Sequence, residues 1–285
     1  MSVIIKNDKL TAEISLMGAE LLSVKDQKGK ERIWQGDPQF WKGHAPILFP
    51  IVSSLKDNRY TYNGKTYNMK MHGFARNSEF TVEKQRENEV TLLLASNEET
   101  LKVYPFLFNF RVTYKLVGSS LQVDFVTENK TMGDMYYSVG AHEGYCIEGD
   151  VSNYSIVLDE EETLPRHELV EGLGITDEKI PCFENSKELK LDEEYFAVDA
   201  IIFLDMKSRG LALRDDRTGE SIHVDFPQAD TVLIWKAPKA PFVCVEPWCG
   251  VTDLSWKPFN DFSQKFRIRK LQKGEKETIS HTVTF

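Results

Sequence analysis

The sequence predicts an all-β protein, folded as a large antiparallel β-sandwich that uses residues 1–285 as a single domain. Three observations support this prediction. Several segments alternate apolar and polar residues, as half-buried strands do. Turn signals separate these segments at short intervals, which favours a sandwich over an alternating α/β fold. Helical periodicity is confined to a turn or two around residues 97–104, and apolar residues make up 41% of the chain, enough for a large core.

The clearest predicted strand pair comprises residues 108–116 and 121–125, where every second residue is apolar. Residues 60–62 and 65–67 form a second predicted hairpin around the dipeptide at 63–64. This dipeptide is Asn-Gly, which suits a two-residue connection because both central positions need positive φ.

Two further hairpins are predicted nearer the C-terminus. Residues 211–213 and 222–226 flank a turn rich in Asp and Gly. Residues 266–268 lead through a Lys-Gly turn to an alternating run at 279–285. Before these hairpins, residues 159–194 are acidic with scattered Gly and Pro, so we expect a long excursion over the surface there.

Charge and hydropathy exclude several classes of function. The chain has 35 Lys and Arg against 44 Asp and Glu, a formal net charge of −9, and no cationic run, so we expect no nucleic-acid partner. The N-terminal apolar patch is far shorter than the ~7–15 residues of a signal peptide. No window approaches the ~18 consecutive apolar residues of a membrane helix. We therefore expect a cytoplasmic protein without a membrane partner.

The cysteines and the known catalytic motifs indicate neither a disulfide framework nor a metal or nucleotide cofactor. Four cysteines are too few and too scattered for such a framework, and Cys244 and Cys249 lack both zinc spacing and an accompanying His pair. The chain contains no phosphate-binding glycine loop and no serine-hydrolase or zinc-protease motif. We expect chemistry without a cofactor.

Two histidines have neighbourhoods typical of a site. His72 lies in Met-His-Gly-Phe-Ala-Arg, and His142 lies in Gly-Ala-His-Glu-Gly. In both, Gly flanks a polar group among apolar residues, which suits an ordered loop whose backbone closely approaches another group. The other four histidines have different interpretations. His281 is expected to be structural, and His223 to point away from its apolar strand neighbours. We expect His167 to be solvated and His44 to lie in a loop near a site.

A carboxylate at the end of an apolar strand is the next candidate. Glu246 precedes Pro and Trp, where burial would raise its pKa above ~4.3 and make it a usable base near neutrality. The alternative is a strand-end Glu paired with a surface Lys. Arg59, beside the predicted hairpin at 60–67, offers an always-charged donor.

Taken together, these segments resemble the aldose 1-epimerase (galactose mutarotase) superfamily, and most closely its LacX-like branch. The resemblance runs over most of the chain and depends on the order and spacing of its motifs. These motifs are residues 12–14, 18–21, 33–37, 46–50, 71–76, 140–142, 233–235 and 245–250.

The resemblance implies a galactose mutarotase-like supersandwich with a sugar site on a concave face. It also implies an isomerase that interconverts the α and β anomers of a free hexose without a cofactor, acting as a monomer or homodimer. His142 resembles the general acid and Glu246 the general base. The groups expected to hold the sugar are Arg59, His72, Asp199 and an aromatic platform at Trp235 or Trp248.

This chemistry needs two positioned proton carriers. Opening a cyclic hemiacetal removes a proton from the C1 hydroxyl and delivers one to the ring oxygen, and each positioned transfer is worth ~10²–10⁴ in rate. We expect proximity to raise the pKa of His142 and lower that of Glu246, because the acid starts protonated and the base ionised. The sequence departs from the familiar mutarotase pattern in having Glu143, Gly144 and Tyr145 after His142, where Pro and an aromatic are usual.

Three other functions are open on the sequence. A hexose-6-phosphate mutarotase needs cations on the substrate side, for which Arg76 and Lys70 beside His72 are candidates. A non-catalytic sugar-binding sandwich would keep the pocket without the reaction. A glycosidase or lyase would pair Glu246 with a second carboxylate, for which Asp199 is the candidate. The acidic net charge favours a neutral hexose.

Overall fold

The computed structural model describes residues 1–170, 174–197 and 199–285, and antiparallel strands dominate it. The first strands in chain order are β1 Ser2–Lys6, β2 Leu10–Ser15, β3 Leu21–Asp26, β4 Arg59–Tyr62, β5 Lys65–Asn68, β6 Thr81–Gln85, β7 Glu89–Ala95, β8 Phe108–Val117, β9 Ser120–Asn129, β10 Met135–Tyr137, β11 Val139–Gly140 and β12 Glu143–Cys146. They are followed by β13 Tyr154–Arg166, β14 Leu169–Val170, β15 Gly174–Ile175, β16 Ile180–Lys190, β17 Ile201–Leu204, β18 Gly210–Asp215, β19 Ser221–Asp225, β20 Thr231–Trp235, β21 Phe242–Cys249, β22 Arg269–Leu271 and β23 Lys276–Thr284.

Helical structure in the described residues is short, as the sequence predicts. The α-helix α1 spans Glu98–Val103. The 3₁₀ turns are Lys56–Asn58, Ala75–Asn77, Val151–Asn153, Glu193–Phe196 and Phe262–Gln264. No helix in the described ranges is long and apolar enough to cross a membrane.

The largest layer is a nine-stranded antiparallel sheet in the order β16-β13-β18-β19-β23-β9-β8-β7-β6. It contains the long predicted hairpin as β8 and β9, in register from Phe108 with Asn129 to Val117 with Ser120. The Asn-Gly hairpin is also confirmed as β4 and β5. Its turn residues Asn63 and Gly64 have φ of 49° and 74°, the positive values that the turn requires.

The predicted C-terminal hairpin is wrong. β22 pairs with β10, from Met135 with Leu271 to Tyr137 with Arg269. β23 lies between β9 and β19 and hydrogen-bonds to both. Because both edges of β23 are occupied, β22 pairs elsewhere.

The acidic stretch at 159–194 is also not the predicted surface excursion, because most of its described part belongs to β13 and β16. β16 is an edge strand of the nine-stranded sheet and β13 is next to it. The pairing of these two strands shifts register several times after Val157. Leu164 and Phe183 are buried while Glu161 and Glu184 are exposed. His167, expected to be solvated, is buried and stacks on Trp256, because the chain after β13 folds back to pair with β17.

The second layer is a five-stranded sheet in which β21 lies between β20 and the short strands β11 and β12, with β17 beyond β20. One face of this sheet joins the main core with the nine-stranded sheet, and that core runs in sequence from Ile5 to Val283. Loops cover the other face, which forms two smaller apolar clusters. Burial on both faces explains why β21 is almost continuously apolar in sequence.

Candidate active site

The outer, loop-covered face of β20 and β21 carries the predicted base. Side chains alternate along a strand, so Cys244, Glu246 and Trp248 share this face, while Val243 and Val245 face the main core. Glu246 pairs in register with Leu233 and is 2% exposed. The carboxylate is therefore desolvated by an apolar sheet face and does not pair with a surface Lys.

His142 is placed opposite Glu246 by two short pairings to the same strand. β11 and β12 both hydrogen-bond to β21, and His142 lies between them. The imidazole Nε2 is 3.4 Å from the Glu246 carboxylate Oε2. The structure thus brings together the two groups assigned to acid and base.

Gly140 and Gly144, on either side of His142, allow aromatic rings to approach the backbone closely, as the flanking glycines predict. A Cβ at Gly140 would lie 2.4 Å from Cδ1 of Trp248, and a Cβ at Gly144 would lie 3.2 Å from the ring of Trp41. The Trp248 indole Nε1 donates to the carbonyl of Ala141 at 3.2 Å. Larger residues at the two glycine positions would displace the rings that enclose His142.

Aromatic rings form the walls of the site. Trp41 stacks on the His142 imidazole with centroids 4.9 Å apart, and Trp235 meets it edge-on at 5.6 Å. Trp41 and Trp235 also contact each other and Phe242. The sequence proposed Trp235 as a platform but did not identify Trp41, which lies about a hundred residues from His142 in a loop without strand periodicity.

His72 lies on the third side of the site, with its ring centroid 5.6 Å from that of His142. The backbone N–H of Ser53 donates to its Nδ1 at 3.0 Å, so the neutral ring carries its proton on Nε2. Burial lowers the pKa of His72 well below its ordinary value, and the nearby His142 and Arg76 lower it further. His72 therefore presents a neutral N–H donor, suited to a sugar oxygen.

The apolar segment at 46–50 connects the two histidine loops. Leu48 bridges to Gly140 beside His142, and Phe49 bridges to Gly73 beside His72. Gly73 has φ of 72°, and a Cβ there would lie 2.2 Å from the Phe49 carbonyl oxygen. This motif was recognised in the sequence only through the resemblance, and its physical role is to fix the spacing of the two loops.

Burial controls the protonation of the His142–Glu246 pair. It raises the pKa of the Glu246 carboxyl well above its ordinary value, and the charges of Asp199 and Glu143 raise it further. Burial lowers the pKa of His142 to about 3. The expected shifts are therefore wrong in both directions, because desolvation outweighs mutual attraction in the free protein. The pair therefore shares one transferable proton, which lies either on Glu246, beside a neutral His142, or on His142, beside an ionised Glu246.

Asp199 lies close enough to act on Glu246 electrostatically. Burial raises the pKa of the Asp199 carboxyl, and a hydrogen bond from Trp235 opposes that rise. The structure thus places the predicted carboxylate and the predicted aromatic platform beside each other, next to the Glu246 end of the pair.

Arg59 does not belong to this group of residues. Its side chain is 59% exposed and pairs with Asp57 at 3.1 Å. Within the described chain no hydrogen bond or ion pair joins it to the histidines or Glu246. The reason is strand alternation, since Tyr60 packs into the core against Phe262 and so Arg59 faces outward. The expectation that Arg59 holds sugar oxygens is not supported by its position.

Arg76 provides a guanidinium nearer the histidines, and its charge lowers the pKa of both His72 and His142. It is half-buried and forms no hydrogen bond or ion pair with the described residues. Burial lowers the pKa of Arg76, and the negative charge of Glu20 opposes that shift. Gly18 makes room for this turn, because a Cβ there would lie 2.6 Å from the Arg76 carbonyl oxygen. The sequence proposed Arg76 only for a phosphorylated substrate.

The unusual residue after His142 faces away from the site. Glu143 pairs in register with Val245 on the inner face of β21. Its Oε1 lies 2.8 Å from Nε2 of His281 on β23, and both side chains are buried. This polar contact joins the two sheets directly beneath His142, so Glu143 belongs to the support of the site and not to its outer face.

Comparison with known proteins identifies the family of the chain. The family model described as aldose 1-epimerase matches residues 1–280. The chain belongs to the aldose 1-epimerase family. Among the curated relatives of this family member are the plasmid and chromosomal forms of Protein LacX from Lactococcus lactis subsp. lactis. Each is 35% identical over 297 aligned positions, covering 100% of this chain and 99% of the relative. The LacX-like branch suggested by the motifs is confirmed.

Solved structures similar to this aldose 1-epimerase family member include a galactose mutarotase related enzyme from Lactobacillus acidophilus. It is 34% identical with a TM-score of 0.92, covering 100% of this chain and 97% of that one. A galactose mutarotase-like protein from Lactobacillus casei ATCC 334 is 26% identical with a TM-score of 0.92, covering 100% and 99% of the two chains. The predicted galactose mutarotase-like fold is confirmed.

Proposed function

We propose that this protein interconverts the α and β anomers of a free hexose. The observation that carries the proposal is the buried pair formed by His142 Nε2 and Glu246 Oε2, 3.4 Å apart on an aromatic-walled sheet face. A reaction that takes one proton from a hydroxyl and gives one to a ring oxygen needs two proton carriers that together hold one proton. The pair meets that requirement without a cofactor.

In the proposed reaction, the member of the pair that holds the proton delivers it to the ring oxygen, and the other accepts the C1 hydroxyl proton. The C1–O5 bond breaks as the C1 oxygen becomes the aldehyde. Rotation about C1–C2 then exposes the other carbonyl face, and ring closure returns both protons with the roles exchanged. Because the pair begins and ends with one proton, the same residues serve both directions of exchange.

The remaining groups hold the sugar by its neutral hydroxyls. His72 offers its Nε2–H, while Asp199 offers acceptor oxygens beside Glu246. The Trp235 indole provides apolar surface for the sugar ring, while Trp41 stacks on the His142 imidazole and holds it in place. His72 is held by the Ser53 N–H and Trp235 by its aromatic neighbours before substrate binds, which favours selective stabilisation of the transition state.

Magnetisation-transfer NMR on glucose and galactose tests this function, with the spontaneous rate measured as a blank. We expect Glu246→Gln and His142→Asn each to lower the enzymatic exchange rate by ~10²–10⁴, the usual worth of a positioned proton transfer. The matched control is Glu162→Gln, which alters a buried glutamate on β13 that accepts from the backbone amides of Lys207 and Ser208. Unchanged exchange in both site variants would show that the pair is not catalytic.

A second candidate, mutarotation of a hexose 6-phosphate, is favoured by the guanidinium of Arg76, which forms no hydrogen bond or ion pair with the part of the chain that the structure describes. A half-buried cation whose charge acts on His72 and His142 suits a substrate phosphate. We expect Arg76→Gln to lower kcat/KM for glucose 6-phosphate much more than for glucose if the phosphorylated sugar is the substrate. An equal effect on both sugars would rule out a phosphate contact. Calorimetric binding of a sugar without any exchange would instead indicate a non-catalytic sugar-binding protein.

A further inference from the structure

Cys244 is a buried thiol on the site face that the proposed reaction does not use. It precedes Glu246 by two residues on β21, so both side chains lie on the same face of the strand. It is fully buried. One donor atom each from His142, Cys244 and Glu246 lies within 4.8 Å of the other two. The site therefore holds one nitrogen, one sulfur and one oxygen donor around a common centre.

The spacing of these donors is close to that of a tetrahedral zinc site. Zn–N and Zn–O bonds of about 2.0–2.1 Å at a tetrahedral angle place N and O about 3.4 Å apart. His142 Nε2 and Glu246 Oε2 are 3.4 Å apart. A Zn–S bond of about 2.3 Å places sulfur about 3.6 Å from the other donors, so each distance from the Cys244 sulfur, which is at most 4.8 Å, has to shorten by no more than about 1.2 Å.

Charge and donor type also favour this ion. Zn²⁺ with one thiolate, one carboxylate and one neutral imidazole sums to zero, so the buried complex carries no net charge. A mixed N, S and O set suits Zn²⁺ and similar transition metals, whereas Mg²⁺ and Ca²⁺ prefer oxygen alone. Three protein ligands leave a fourth position open for water or substrate.

We propose that His142, Cys244 and Glu246 form a zinc-binding site, and that bound Zn²⁺ competes with sugar. The competition rests on the proposed function, because it requires that the sugar use His142 and Glu246. The metal binding itself requires only the geometry of the three donors. Occupation by zinc would hold the site in an inactive, neutral state until the metal is removed.

Cobalt spectroscopy tests the site independently of activity. Co²⁺ is added to chelator-treated full-length protein, and a sulfur-to-cobalt charge-transfer band in the near ultraviolet is expected for the wild type. Cys244→Ala should lose the band. Cys249→Ala is the matched control, because Cys249 is buried on the opposite face of β21 and contacts the carbonyl of Gln228. Absence of the band in the wild type, or its persistence in Cys244→Ala, overturns the proposal.

Zinc inhibition of anomer exchange tests the competition. We expect Zn²⁺ to raise the apparent KM, with each variant compared against its own zinc-free rate. Loss of a residue that only hydrogen-bonds to a metal ligand costs ~10–100-fold in metal affinity. Cys244 is proposed as a ligand itself, so Cys244→Ala should weaken zinc inhibition by at least ~10–100-fold. His223→Ala is the control for an exposed cluster of Asp159, His223 and Asp225. Inhibition that survives Cys244→Ala but disappears in His223→Ala overturns the proposal.

The two proposals fail in distinguishable ways. If no sugar is exchanged by the wild type, the proposed function fails, while the cobalt band still decides whether the metal site exists. If exchange is normal but neither cobalt nor zinc binds, the metal proposal alone fails.

Discussion

Replacing Gly140 with Ala is expected to damage stability and catalysis together, because the new methyl group meets the ring that supports His142. The added Cβ would lie 2.4 Å from Cδ1 and 2.9 Å from Cγ of Trp248. Ordinary contact distances begin near 3.4 Å, so the indole has to retreat by about 1 Å. Trp248 is 3% exposed and packed among Leu48, Val52 and Val251, which leaves little room for that movement.

The magnitude follows from the cost of overpacking a buried site, which is about 1–3 kcal/mol. Urea unfolding gives the free energy of unfolding, and magnetisation-transfer NMR gives the exchange rate. Movement of the Trp248 ring also disturbs its hydrogen bond to Ala141, the residue before His142. Because misplacement of a catalytic group by about 1 Å can cost about 10²-fold in rate, we expect kcat to fall even where the protein remains folded.

The control is Gly133→Ala. Gly133 is exposed, and a Cβ there would meet nothing within 4 Å. A surface change of this kind is expected to stay within about 0.5 kcal/mol. Equal unfolding midpoints and equal exchange rates for the two alanine variants would refute the argument that Gly140 is required for the approach of the ring.

Two further predictions concern one buried and one partly buried carboxylate, Glu143 and Glu20. Glu143→Ala leaves His281 buried without its partner, so we expect a loss of about 1–3 kcal/mol by urea unfolding. A double-mutant cycle with His281→Ala should show a coupling between the two residues, and additive losses would exclude it. Although burial alone would raise the pKa of Glu20, hydrogen bonds from His44 and Ala45 hold it below its ordinary value. Its folded-state pKa is lowered, so its stabilisation is complete above the unfolded value of about 4.3 and is lost as pH falls through the folded value. The stability difference between wild type and Glu20→Gln should therefore shrink with acidification below about pH 4 in urea titrations, and a constant difference would contradict the assignment.

Local patterns were sufficient for the long, regular strands. β8 and β9 alternate without interruption, so their periodicity predicted both their type and their pairing. β13 and β16 were not predicted, because register shifts interrupt the alternation and acidic residues occupy the exposed face. The partner of β22 was also missed, since pairing with β10 depends on which strand edges remain open after β23 is placed.

The candidate site shows the same division. His142, His72 and Glu246 were selected from flanking glycines and a carboxylate at the end of an apolar strand. The choice between Arg59 and Arg76 could not be made in this way. Both are single arginines in loop or strand-end positions, and strand alternation beside Tyr60 turns the first one outward.

The sequence by itself determined the all-β class, most hairpins and the choice of His142 and Glu246 as the candidate acid and base, because these follow from residue periodicity, turn chemistry and motif order. Tertiary structure alone decided the protonation of that pair, the aromatic enclosure by Trp41 and Trp235, and the placement of Cys244 beside the pair. The physical reason is that desolvation and contact depend on which distant segments cover a strand face. No local pattern specifies that covering, and here loops from the first quarter of the chain provide it for a strand near residue 246.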